Sequence, residues 1–226
     1  SESLYVRSLS LSPGTTVSSD AEKAASYQQN GYQSVEGFLK IYQAEKTLEK
    51  SDVVLYPTYD RTSPATIPYD PVRIRRNTIG KGNWSEPGMW ISYLIDDIPS
   101  DGLYYITFKF RQADAIGVTT FRNVYVNGSI PSKAYENVSF PYGVDWNQKT
   151  VVDENGEPCP VYLTAGENEL LMEVSLGPYV EAMRMVDDSI YELNRLYTQM
   201  VMITGTTPDS YRDYELDKEI PGLLDA

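Results

Sequence analysis

Residues 90–176 run as short alternating apolar and polar stretches cut by tight-turn dipeptides, and few folds admit that pattern. Trp90-Ile-Ser-Tyr-Leu-Ile ends at Pro99-Ser-Asp-Gly102, and Leu103-Tyr-Tyr-Ile-Thr-Phe-Lys-Phe110 follows at once. Arg122-Asn-Val-Tyr-Val126 stops at Asn127-Gly128; Val161-Tyr-Leu163 turns at Ala165-Gly166 into Glu169-Leu-Leu-Met-Glu-Val-Ser-Leu176. Strand side chains point to alternate faces, so each run can bury one face and wet the other. Even spacing with Asn-Gly and Asp-Gly breaks predicts an antiparallel β-sandwich of jelly-roll type, not a parallel-sheet enzyme fold.

Bulk properties narrow the function classes. With 226 residues, 41% of them hydrophobic, the chain can build a substantial core. A formal net charge of −13 argues against nucleic acid as partner, because phosphate binding needs a basic stripe and the densest basic run is Arg73-Ile-Arg-Arg76. No apolar run approaches the roughly 20 residues of a membrane-spanning helix. The chain starts at Ser1 without methionine, so it is expected to be a processed or excised piece of a longer protein. The lone Cys159 excludes an internal disulfide, and the absence of histidine excludes Ser-His-Asp and Cys-His triads and His-based metal sites. Paired acids for glycoside hydrolysis exist on paper at Asp96-Asp97, Glu154 and Asp187-Asp188. Among 32 acidic residues such pairs arise by chance, and the chain is expected not to be an enzyme.

Three regions are predicted. Residues 1–34 read as a leader with a turn at Ser12-Pro-Gly14 and a short helix over 21–29, capped by Ser19 and Glu22 and closed by Asn30-Gly31. Residues 35–186 read as the sandwich, opening with a strand over 35–44 and closing with a last strand around 179–186. Residues 51–89 and 141–160 are irregular, proline-rich or polar loops. Residues 187–226 read as a docked helix, capped by Ser189 and Glu192 and stopped at Gly205, followed by an acidic linker toward a further domain.

Tyrosine is abundant, 19 against 5 Phe, and suits sugar rings as well as wet strand faces. Sugar recognition needs an aromatic face under the pyranose and polar groups for its hydroxyls. Trp84 beside Asn83, and Trp146 beside Tyr142, Asp145 and Asn147, offer that combination, with Arg122 as a further polar contact. Either indole could equally plug an end of the sandwich. Trp90 opens a strand and is expected in the core. Asn83, Asn127 and Asn137 each begin an Asn-Xaa-Ser glycosylation tripeptide, with Asn127 committed to a turn.

Tyr42-Gln-Ala-Glu45, Gly88-Met-Trp-Ile-Ser-Tyr-Leu-Ile-Asp-Asp-Ile-Pro99, Gly102-Leu-Tyr-Tyr-Ile, Val124-Tyr-Val-Asn-Gly128 and Leu163-Thr-Ala-Gly-Glu-Asn-Glu-Leu-Leu171 resemble the galactose-binding-like jelly rolls of carbohydrate-binding modules. Leu193-Asn-Arg-Leu-Tyr197, Met202-Ile-Thr-Gly205 and Tyr211-Arg-Asp-Tyr-Glu-Leu216 resemble surface-anchored bacterial solute-binding proteins of carbohydrate ABC transporters, which carry such a jelly roll as an extra domain. The resemblance implies a non-catalytic oligosaccharide-binding module, extracellular on a bacterium, partnered by the other domains of that protein and its transporter. It implies a possible structural calcium at Glu45 and Asp187. The alternative it leaves is a spacer that docks neighbouring domains without a ligand of its own.

Overall fold

A computed structural model describes residues 16–64, 66–221 and 223. The leader turn at residues 12–14 lies outside the described residues. Two compact units divide the chain, one up to Gly177 and one from Pro178 onward.

The first unit begins with α1 (Asp20–Gln29), which starts where its cap dictates. The Ser19 hydroxyl accepts from the Glu22 amide and the Glu22 carboxylate accepts from the Ser19 amide, satisfying two otherwise orphaned donors. Among the described residues eight strands follow: β1 (Trp90–Ile98), β2 (Gly102–Tyr104), β3 (Thr107–Gln112), β4 (Thr120–Val126), β5 (Val138–Phe140), β6 (Gly143–Thr150), β7 (Val161–Leu163) and β8 (Gly166–Ser175). Their antiparallel pairing is nested, β1 with β8, β2 with β7, β3 with β6 and β4 with β5, the pairing of a jelly roll. A further β4–β8 ladder joins four strands into one sheet, ordered β1-β8-β4-β5, while β2-β7 and β3-β6 remain two-stranded.

One face of the large sheet supplies Ile91, Tyr93, Val124, Val126, Leu170 and Met172 to a single core. Leu163, Val161 and Tyr104 enter the same core from β7 and β2, with Phe108 and Phe110 of β3 packed against it. The period-2 alternation of β4 and β8 thus acts as expected, with one set of side chains in and the next out. Asn127 and Gly128 both take positive φ, 48° and 81°, as a two-residue hairpin turn of type I′ requires.

Four expectations need correction. No strand forms over 35–44; Ser34 makes one parallel bridge to Leu103, and the segment beyond is held by side chains. Lys40 Nζ bonds Asp96 and Asp97, and Tyr42 Oη donates to the Asp96 carbonyl, at the irregularity in the β1–β8 register. The 141–160 loop contains a strand, β6, whose ladder with β3 supplies the order that its polar sequence conceals. The stretch around 179–186 is helical: α2 spans Val180–Thr204 and the sandwich ends at β8. Ser189 is therefore no cap, and its hydroxyl donates to the Met185 carbonyl one turn back.

The second unit holds α2, stopped at Gly205 as expected, and the short α3 (Leu216–Glu219). Of the 25 residues of α2 only Leu196 is buried. Tyr191, Tyr197 and Met202 are 72%, 66% and 81% exposed.

Candidate functional site

The two predicted platforms are committed to the protein. Trp84 donates its indole N–H to the Met89 carbonyl at 3.2 Å, and its ring packs against the core. Arg122 shares the inward face of β4 with Val124 and Val126 and is 9% exposed. Its guanidinium lies 4.4 Å from the centroid of the Trp84 ring and donates to the carbonyls of Trp84 and Phe121. Burial lowers its pKa to about 10, and its Nε has no hydrogen-bond partner among the described residues. Arg122 is a buried cation stacked under an indole and unavailable to a surface ligand. Asn83 donates to the Val54 carbonyl at 3.3 Å.

Trp146 sits on β6, half-buried, donating its indole N–H to Asp60 Oδ2 at 3.1 Å. Arg111 bonds the same oxygen at 2.7 Å, and the Thr62 amide and hydroxyl take Oδ1. Burial pushes the Asp60 carboxyl up, but these donors together hold it below the usual carboxylate value. The cluster fastens the irregular 51–80 segment to the β3–β6 pair. Asn147 is exposed and donates to the Asp145 carbonyl, with Tyr142 half-buried just ahead of the strand. The predicted residues thus form two groups, Trp84 with Arg122 and Trp146 with its β6 neighbours.

Glu45 presents a buried Oε2 without a hydrogen-bond partner among the described residues, an oxygen of the kind a cation would satisfy. Asp187 lies on α2 in the other unit, and no group of three or more Asp, Glu or Cys side chains comes together among the described residues. One carboxylate fits calcium; a carboxylate set for it is absent among those residues.

A different cleft opens on the outer face of the large sheet. It measures about 260 Å³ and is lined by Trp90, Tyr125, Gly128, Glu169, Leu171 and Glu173. The register builds it: Trp90 lies opposite Glu173, which lies opposite Asn123; Tyr125 lies opposite Leu171; and Leu94 lies opposite Glu169. Directly opposed strand residues share a face with Cβ atoms about 5 Å apart, so these rows form one surface. Tyr125 donates its phenol to Glu173 Oε2 at 2.8 Å, and Asn123 approaches the same oxygen at 3.5 Å. Burial, then the bond to Glu173, raises the Tyr125 pKa to about 12 and keeps it a donor at neutral pH. Trp90 is half-buried, and among the described residues nothing accepts from its indole N–H. The core assignment of Trp90 is thereby corrected, since its neighbour Ile91 takes the inward position.

A second, more polar cleft of about 550 Å³ lies between residues 31–35, 100–102 and Tyr162. Its aromatic faces are largely spent on each other: Tyr32 stacks on Tyr162 at 4.1 Å and 21°. The outer cleft was missed because no motif spells it. Its signal is the second half of the alternation, the set Glu169, Leu171, Glu173 that faces away from Leu170, Met172 and Val174.

No family model matches the sequence, and no curated protein matches it. Among solved structures, the chain is similar to a cycloisomaltooligosaccharide glucanotransferase of Paenibacillus sp. complexed with cycloisomaltoheptaose (16% identity, TM-score 0.42), over 68% of this chain and 20% of that one. It is also similar to CBM35 from Paenibacillus barcinonensis (19%, TM-score 0.37), over 60% of this chain and 87% of that one. A third is a family 35 carbohydrate binding module from an environmental isolate (14%, TM-score 0.36), over 59% of this chain and 79% of that one. The chain thus spans a fifth of the length of the glucanotransferase it matches.

Proposed function

We propose that this chain is a non-catalytic glycan-binding domain whose ligand lies across Trp90 and Tyr125 on the outer face of the large sheet. The observation that carries the reading is a half-buried indole, its N–H without an acceptor among the described residues, beside a carboxylate held in place by a phenol. An indole face stacks on the C–H side of a pyranose, while the N–H and Glu173 meet its hydroxyls. The cleft falls just below the usual range for drug-sized ligands, so it suits one sugar unit at a time.

Several features weigh against catalysis. Cys159 is buried, and burial raises its thiol pKa to about 11, away from nucleophilic use. Glu169 and Glu173 stand four residues apart on one strand, about 13 Å of backbone. Glycoside hydrolysis wants its carboxyls about 5–9.5 Å apart across the bond.

The wider setting proposed is an extracellular, surface-anchored solute-binding protein of a bacterium, with the domain presenting oligosaccharide to an ABC importer. Its support is the sequence resemblance over residues 193–216. A calcium ion at Glu45 belongs to the same proposal, supported by the orphaned Oε2. One observation favours the alternative of a ligand-free spacer: α2 exposes Met183, Ile190, Leu193 and Tyr197, apolar surface suited to a docking face.

A glycan-array screen of the chain, with calcium and with chelator, separates these readings when run beside Trp90→Ala and Trp146→Phe. Binding lost by tenfold or more in Trp90→Ala alone supports the outer cleft. Loss in Trp146→Phe alone returns the site to β6. Loss under chelator assigns the Glu45 oxygen to a cation. Silence from folded protein leaves the spacer.

A further inference from the structure

We infer that the outer cleft selects glycans carrying a protonated amine, glucosamine-type sugars, over neutral or acidic ones; the inference rests on the glycan-binding reading above. Every charged side chain in the lining is a carboxylate, Glu169 and Glu173, and the lining contains no lysine or arginine. Neither glutamate takes part in an ion pair among the described residues. Glu173 accepts from Tyr125 and Asn123 through Oε2, which leaves Oε1 without a partner among those residues and turns the bound oxygen into a fixed point.

Basic residues nearby are occupied. Lys50, on the segment bridged to Ile91 at the edge of β1, donates its ammonium to the Leu55 carbonyl at 2.7 Å. Arg122, which follows Phe121 on β4, faces the core instead. Glu49, paired through its backbone with Ser92, adds a further acid on that edge.

The cleft sets Trp90 directly opposite Glu173, and Tyr125 opposite Leu171, midway along β8 between the two glutamates. Aromatic faces attract ammonium groups through their quadrupole, so the rings and the carboxylates favour the same charge. A uronate or sulfated sugar would meet two carboxylates with no cation to offset them, and like charge in a shallow cleft is repelled. A neutral hexose keeps the ring stacking and its hydroxyls can meet the glutamates, but it brings no charge to pair with them. The 2-amino group of glucosamine is the small cationic substituent that lets one pyranose satisfy platform and carboxylate together.

The test is titration calorimetry of the full chain with a deacetylated chitosan oligomer, its N-acetylated counterpart, a cellulose oligomer and an oligogalacturonate, in low and in high salt. The expected order is amine over acetylated or neutral, and those over uronate. The amine advantage should be about tenfold, the combined size of exposed ion pairs and a cation–π contact. It should shrink in high salt and in Glu169→Gln and Glu173→Gln, while Trp90→Ala removes binding of every sugar. Equal affinity for the amine and acetylated oligomers, with binding still lost in Trp90→Ala, overturns amine selection and leaves the glycan site standing. Amine binding that survives both Trp90→Ala and the glutamine variants is general attraction to a chain of charge −13 and also overturns the inference. Silence of all four oligomers removes the glycan reading itself.

Discussion

Asp60 is a residue on which contacts from distant parts of the chain converge. It is 7% exposed, and its carboxylate collects donors from Thr62, Arg111 and Trp146, the last 86 positions away in sequence. Replacing it by alanine leaves a guanidinium and an indole N–H short of their acceptor, at a cost of about 2–3 kcal/mol in denaturant unfolding. The pH dependence has a definite sign. The folded carboxyl titrates below its unfolded value, so its stabilisation is complete above about pH 4 and disappears as pH falls through the folded value. Melting followed from pH 5 downward should show the wild type losing more stability than Asp60→Asn; parallel curves would deny Asp60 that role. The same convergence explains which site residues the sequence revealed. Trp84 and Trp146 have polar neighbours in the chain, but their partners, Arg122 and Asp60, come from 38 and 86 residues away. Local composition cannot say whether an indole meets solvent or a distant arginine.

Elements were legible where pattern and turn chemistry agreed. The alternation of β4 and β8, the Asn127-Gly128 turn and the capping box of α1 each carry a local cause, and each formed. β6 has no such cause: Gly-Val-Asp-Trp-Asn-Gln-Lys-Thr does not alternate, and only β3 makes it a strand. The first turns of α2 were hidden by the capping-box spacing of Ser189 and Glu192, although Ala182, Met183, Arg184 and Met185 are good helix formers. The β2 edge supports a test. Gln33 O and Val35 N bond Leu103, drawing that segment against Gly102, where an added Cβ would stand 2.6 Å from Val35 Cγ2 and 2.9 Å from the Gln33 carbonyl. Because a backbone oxygen cannot swing aside, Gly102→Ala should lower stability by about 1–3 kcal/mol. Gly82→Ala, with nothing within 4 Å of its added Cβ, should stay within about 0.5 kcal/mol. Equal melting shifts for the two would mean that the 33–35 segment yields.

On the scale of the whole chain, two units with different packing should differ in how they open. The first unit pools β1, β4 and β8 in ladders whose inward residues belong to one core. The second presents a 25-residue helix in which only Leu196 is buried, while Tyr179, Met183, Val186, Ile190, Leu193 and Tyr197 are each at least 45% exposed. Isolated helices draw most of their stability from a packed face, so α2 should open at far lower free energy than the sandwich. Amide hydrogen exchange should therefore find the α2 amides exchanging about a hundredfold or more faster than those of β8 and β4. The measurement needs two protein concentrations. Protection of α2 that rises with concentration means that copies of the chain cover one another's apolar helix, which would give the docking reading its first partner. Protection equal to β8 at both concentrations would contradict so low an opening energy.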